Sequence, residues 1–217
     1  MADIDDIATR IAGIILSPES VSGLINGAFT VPLDMGYRVY GVFDTGSRFR
    51  RETARIRMAG AIRNDILNYD HIIDAIKIIF TKFNIYVTET EQDSIYRGVI
   101  TSFVGRMGTN TIMAMITAAV LERVSFISAT FKSKPIAVLT GTLLIGGMTE
   151  RSIRTSERLE AENPEIYNLL IPKDYDLLYF LFEPSVQPFV DAMHIRMTQG
   201  EPAFRKIIDL VRKEINA

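Results

Sequence analysis

Apolar residues recur at three- and four-residue spacing through most of this chain, the mark of helices that each bury one face. Near the N-terminus Ile4, Ile7, Ile11, Ile14 and Ile15 form one such stripe. Ser17 before Pro18 reads as a cap and first-turn proline, opening a helix with Val21, Leu24, Ile25, Ala28 and Phe29 inward. Pro32 to Phe43 is ambiguous, and Asp44-Thr45-Gly46-Ser47 is a turn and cap. A basic helix is predicted from Arg48 to about Leu67, followed by a break at Asn68–Asp70. The stripe Ile72, Ile73, Ile76, Ile79, Phe80 and Phe83 then predicts a core helix, and Asn84–Val87 a short extended piece. Thr88-Glu89-Thr90-Glu91 has capping-box spacing, with Tyr96, Val99, Ile100 and Phe103 continuing at helical period.

The pattern changes between Met107 and Thr149, where four residues in 43 are charged: Glu122, Arg123, Lys132 and Lys134. This segment reads as a helical hairpin. Its first arm runs from Asn110 to about Phe131, Lys132-Ser133-Lys134-Pro135 forms the bend, and the second arm is uncharged through Thr149. The second arm is expected to continue into Glu150–Glu162, where seven of 13 residues are charged and Glu150–Arg154 and Arg158–Glu162 have i,i+4 spacing. One half suits burial, the other water. Asn163-Pro164 stops that helix, and Ile171-Pro172, Glu183-Pro184 and Gln187-Pro188 are expected to punctuate short helices after it. Gly200-Glu201-Pro202 opens the last helix, with Phe204, Ile207, Ile208, Val211 and Ile215 on one face. The expectation is one all-α domain over residues 1–217, with about eight to ten helices around a central low-charge hairpin.

Composition narrows the chemistry. There is no cysteine, which excludes disulfides, thiolate nucleophiles and Cys-ligated metal centres. A formal net charge of -2 supplies no global field towards nucleic acid, so nucleic acid is an unlikely partner. The two histidines each have nearby carboxylates, Asp70 and Asp74 for His71 and Asp191 for His194, but neither fits a di-iron helix pattern. Gly141 and the Gly146-Gly147 pair lack the Lys-Ser/Thr end of a phosphate loop. No metal, cofactor or catalytic residue is assigned. Asp3, Asp5 and Asp6 stand where a secretory signal carries Lys or Arg, so synthesis without a Sec-type signal is expected. Export, or action at a membrane, stays open.

Two features carry candidate function. On the second arm, Ala137/Gly141 and Thr142/Gly146 are small-xxx-small pairs that permit close helix approach in lipid, and Gly146-Gly147 loosens the helix in water. Against insertion, Glu122 and Arg123 each cost roughly 2.5–3.5 kcal/mol at a bilayer centre. On the basic helix, Arg48, Arg50, Arg51, Arg55, Arg57 and Arg63 face a single Glu52 in charge count, a local excess of +5. Guanidinium groups at this density fork onto phosphate or carboxylate, so anionic lipid or an acidic partner protein is expected. Oligomerisation is compatible with either. The sharpest reading is a membrane-active, toxin-like protein that permeabilises an anionic membrane through residues 107–149. The alternative is a soluble helical interaction protein, an adaptor or an inhibitor that neutralises another protein. An enzyme built on carboxylates is the third and weakest.

Overall fold

Helical periodicity is realised in every part of the chain that the computed structural model describes, namely residues 3–16, 48–63, 69–100 and 137–216. Eight α-helices occur among these residues, with two short 3-10 turns and no strand. We number the helices α1 (Ile4–Leu16), α2 (Arg48–Arg63), α3 (Tyr69–Ile85), α4 (Glu89–Ile100), α5 (Ala137–Glu162), α6 (Pro164–Leu170), α7 (Tyr179–Gln199) and α8 (Glu201–Ile215). The 3-10 turns, Ile171–Lys173 and Tyr175–Leu177, lie between α6 and α7. The all-α class is therefore shown. The expected helix after Ser17 and the first arm of the 107–149 hairpin lie outside the described residues.

The chain divides into two units, with boundaries inside α3 and α7. The first comprises Met1–Ile25, Ile76–Ala119 and Phe182–Ala217. Here α1 packs on α8, and α4 on both. The inward stripes are those of the sequence: Ile7, Ile11, Ile14 and Ile15 meet a core shared with Phe204, Ile207, Ile208 and Val211, all buried. Phe83 touches Phe189 edge-on, with centroids 5.2 Å apart, and Phe204 at 5.9 Å. Each such side chain, fully buried, contributes about 1.5–3 kcal/mol. The Thr88 box closes as its spacing predicts. Thr88 N–H donates to Glu91 Oε2 at 2.8 Å, and Glu91 N–H to Thr88 Oγ1 at 3.3 Å. Asn84–Val87 is a hydrogen-bonded turn rather than an extended piece, Tyr86 N–H donating to Phe83 O and Val87 N–H to Asn84 O.

The two prolines expected to split the 179–199 region do not. Pro184 and Pro188 both lie inside α7. An interior proline loses one backbone hydrogen bond and costs about 3 kcal/mol. The compensation is burial, since Phe182, Val186, Phe189, Val190, Ala192, Met193 and Ile195 are all buried along the same helix. Breaking α7 into short pieces would uncover more than the prolines cost. Gly200 ends it with φ of +87°, a conformation that favours glycine, and its carbonyl starts α8 by accepting from Phe204 N–H.

The second unit comprises Asn26–Ala75 and Val120–Leu181. Its long element is α5, 26 unbroken residues, about 39 Å at 1.5 Å per residue. Ala137, Gly141, Thr142, Gly146 and Gly147 all lie on its helical backbone. Asn163 then caps α6, its Oδ1 accepting from Ile166 N–H at 3.1 Å, with Pro164 in the first turn. The polar half of α5 is not the watery face its composition predicts. Glu150, Ser152, Ile153, Thr155, Ser156 and Leu159 are buried. The reason is polar partners waiting inside this unit.

Candidate functional site

Those partners come from the turn Lys173-Asp174-Tyr175-Asp176, whose side chains alternate between two helices of the second unit. Asp174 and Asp176 reach α2, while Lys173 and Tyr175 reach the first turns of α3. Arg57 lies at the centre. Its Nε donates to Asp174 Oδ1 at 2.6 Å, its Nη1 to Asp176 Oδ2 at 3.2 Å, and its Nη2 to Asp176 Oδ1. A guanidinium gripped at its fork and again at Nε is fixed in orientation. Asp176 has no solvent exposure, against 24% for the Arg57 side chain. Ser156 Oγ on α5 donates to Asp176 Oδ2 at 2.6 Å, and Ser152 Oγ donates to Leu177 O at 2.6 Å. Burial works to lower the pKa of Arg57, but hydrogen bonds and charge from Asp176, then Asp174, raise it on balance. Asp174 adopts the left-handed conformation, φ 58°, which aspartate tolerates better than most residues.

On the α3 side, Lys173 Nζ donates to Asp74 Oδ2 at 2.6 Å and the Tyr175 hydroxyl donates to the same oxygen at 3.2 Å. His71 Nδ1 lies 3.0 Å from that hydroxyl. The hydroxyl has one proton and gives it to Asp74, so His71 Nδ1 carries the proton it shares with the tyrosine oxygen. Burial, then the charge of Asp74 and the hydrogen bond to it, push the Tyr175 phenol up to about 12. This chain of groups ties the turn to α3.

Beside the clasp is a cleft of about 250 Å³, lined by Thr53, Ala54 and Arg57 of α2, Ile153, Ser156, Glu157 and Glu160 of α5, Tyr167 of α6 and Ile171. Its lining is mixed, each of α2 and α5 contributing aliphatic carbons together with hydroxyls or charges. The lining is thus shared among α2, α5 and α6.

The residues singled out from the sequence fall unevenly here. Arg57 lines the cleft, clasped as described. Arg55, half exposed, pairs with Glu150 at 3.3 Å and with Glu52 at 3.7 Å. Glu150 also pairs with Arg154 at 3.3 Å, as the i,i+4 spacing predicts. Arg48, Arg50, Arg51 and Arg63 belong to α2, but their side chains lie outside the described residues. So do the side chains of Ala137 and Thr142. In the first unit Asp191 accepts from Gln187 at 2.7 Å and pairs with Arg10 at 3.6 Å. No group of three or more His, Asp or Glu that could hold a metal ion occurs among the described residues. No helix among them is long and apolar enough to cross a membrane. Sequence reasoning missed Asp174, Asp176, Ser152 and Ser156. The available signal was a charged Lys-Asp-Tyr-Asp run squeezed between Pro172 and the apolar Leu177–Phe182. No protein-family model, curated protein or solved structure matches the chain.

Proposed function

We propose that this is a helical interaction protein, an adaptor or an inhibitor, that captures another protein at the cleft between α2, α5 and α6. The observation that carries the reading is the cleft itself, built around a guanidinium that Asp174 and Asp176 hold in one orientation. Its volume, about 250 Å³, is below the usual range of roughly 300–1,000 Å³ for cofactor and drug-sized sites. It suits one or two side chains of a protein partner. Arginine and tyrosine, here Arg57 and Tyr167, are also the residue types that most often anchor protein interfaces.

The test is affinity capture with tagged wild type and with Tyr167→Ala and Glu160→Lys, each checked for retained helicity. A stoichiometric partner held by wild type and lost by both variants supports the reading. A partner held equally by all three places binding elsewhere and overturns it. The membrane-permeabilising reading stands second, favoured by the unbroken helix that carries the uncharged 137–149 segment. The interaction reading expects anionic vesicles to keep their dye. Release that Gly141→Leu or Gly146→Leu weakens would put the membrane reading first.

A further inference from the structure

We propose that α2 is a movable cover over this cleft, latched to the second unit by the clasp of Arg57 onto Asp174 and Asp176. The use we assign to the cover, admitting a partner, rests on the interaction reading above; its opening does not. Four observations lead here. First, Thr53, Ala54 and Arg57 line the cleft from α2, and Ile153, Ser156, Glu157, Glu160, Tyr167 and Ile171 line it from the rest of the unit, so α2 stands over unfilled space. Second, of the described side chains of α2, Met58 alone is fully buried, while Glu52, Thr53, Arg55 and Ile56 are exposed. Third, two of the attachments of α2 are ionic: Arg57 to the 173–176 turn and Arg55 to Glu150. Fourth, α5 and α6 are joined independently of α2, through Asn163 and the buried Ile166 and Leu170.

Released charges are received by water, whereas released apolar side chains are not. A contact made by ion pairs therefore opens more readily than a greasy seam of the same extent. Once α2 lifts, Ile153, Tyr167 and Ile171 face outward as a short apolar strip flanked by the carboxylates of Glu157 and Glu160. That strip fits a partner helix presenting an apolar residue beside a basic one, the same chemistry with which α2 covers it.

The absence of native cysteine makes the opening measurable. Ile153→Cys places a single thiol beneath α2 at a position 2% exposed, and Ala192→Cys places a control thiol in the core of the first unit. Labelling by a thiol reagent is followed in each, with and without Arg57→Gln. Arg57→Gln should accelerate labelling at position 153 about tenfold or more and leave position 192 unchanged. Raising NaCl to about 1 M, where the Debye length falls to about 3 Å, should accelerate position 153 in the otherwise unaltered chain as well. Unchanged labelling at position 153 overturns the proposal, as does equal acceleration at both positions, which is global loosening. Should Ile153→Cys itself lose helicity, Ile171→Cys reports on the same cleft. Accelerated labelling with no cleft-dependent partner would leave the cover standing and remove the interaction reading.

Discussion

Converting Asp176 to asparagine should cost the protein about 3 kcal/mol, and converting Asp174 to asparagine far less. The two carboxylates grip one guanidinium, yet their surroundings differ. Asp176 has no exposure and Asp174 is 39% exposed. Removing one member of a buried pair costs about 3–5 kcal/mol, because the other charge stays behind without its partner. Arg57 is partly exposed and keeps Asp174, which places Asp176→Asn at the low end of that range. Asparagine also turns one acceptor into a donor, facing either Arg57 or the Ser156 hydroxyl, both of which donate in the native arrangement. Asp174, already in water, contributes about 0.2–1 kcal/mol. Urea titration followed by far-UV circular dichroism reads both variants. In a melting experiment about 3 kcal/mol corresponds to roughly 6–12 °C for a chain of this size. With two units the calorimetric trace should show the loss confined to one transition. A cycle pairing Arg57→Gln with each asparagine variant should show coupling of about 0.5–3 kcal/mol, larger for Asp176. Equal costs for Asp174→Asn and Asp176→Asn, or a cost under about 1 kcal/mol for the latter, would refute the reasoning.

Three further outcomes follow from the same kind of accounting. Hydrogen bonds from Thr88 and the Arg205 guanidinium lower the Glu91 pKa against the opposing effect of its burial, so its contribution is present above the unfolded carboxyl value and lost as pH falls through the folded one. Glu91→Gln should therefore destabilise by about 1–2 kcal/mol at pH 7, with the gap closing on acidification; a gap independent of pH would contradict this. Burial first, and then Asp6, raise the Asp191 carboxyl against the pull of Gln187, Arg10 and His194. A raised carboxyl contributes fully below its unfolded value and less as pH rises, so Asp191→Asn should gain stability on wild type between acid and neutral pH; urea midpoints across that range check the sign. Tyr175→Phe should cost about 1.5–3 kcal/mol through the lost bond to Asp74, and ultraviolet titration should show one fewer late-ionising phenol.

Where function of a residue depends on its neighbours in sequence, the sequence was readable. The Thr88–Glu91 box, the Asn163-Pro164 cap and the stripes of α1, α3 and α8 are set by offsets of three and four, and the structure reproduces them. Even the length of α5 followed from its lack of a breaker between Pro135 and Asn163. Proline misled where local rules compete with burial. Pro184 and Pro188 each weaken α7, but a helix buried along its length tolerates both. The clasp escaped for a different reason. Arg57 and Asp176 are 119 residues apart, and the charged run before Leu177, though a sign of burial, does not say which residue it meets. A charged residue defaults to solvent in any sequence reading, as the polar half of α5 also did.

That default leads to a question of why the second unit buries charge at all. Apolar residues of the same volume at Arg57 and Asp176 would be as stable or more so, since desolvating two ions offsets much of their attraction. Stability alone therefore does not account for the arrangement. Selectivity accounts for more of it. Along the 173–176 turn the signs read plus, minus, neutral, minus, and each side chain finds a partner of opposite or complementary character, Asp174 and Asp176 on α2 and Lys173 and Tyr175 on α3. A slip of one residue would bring Asp174 onto Asp74 and Lys173 onto Arg57, two like-charge contacts in place of three ion pairs. A greasy seam would accept that slip at small cost. The ionic contact thus fixes the register of the turn against α2 and α3. A fixed register is what the proposed cover requires if α2 is to return to one position after opening.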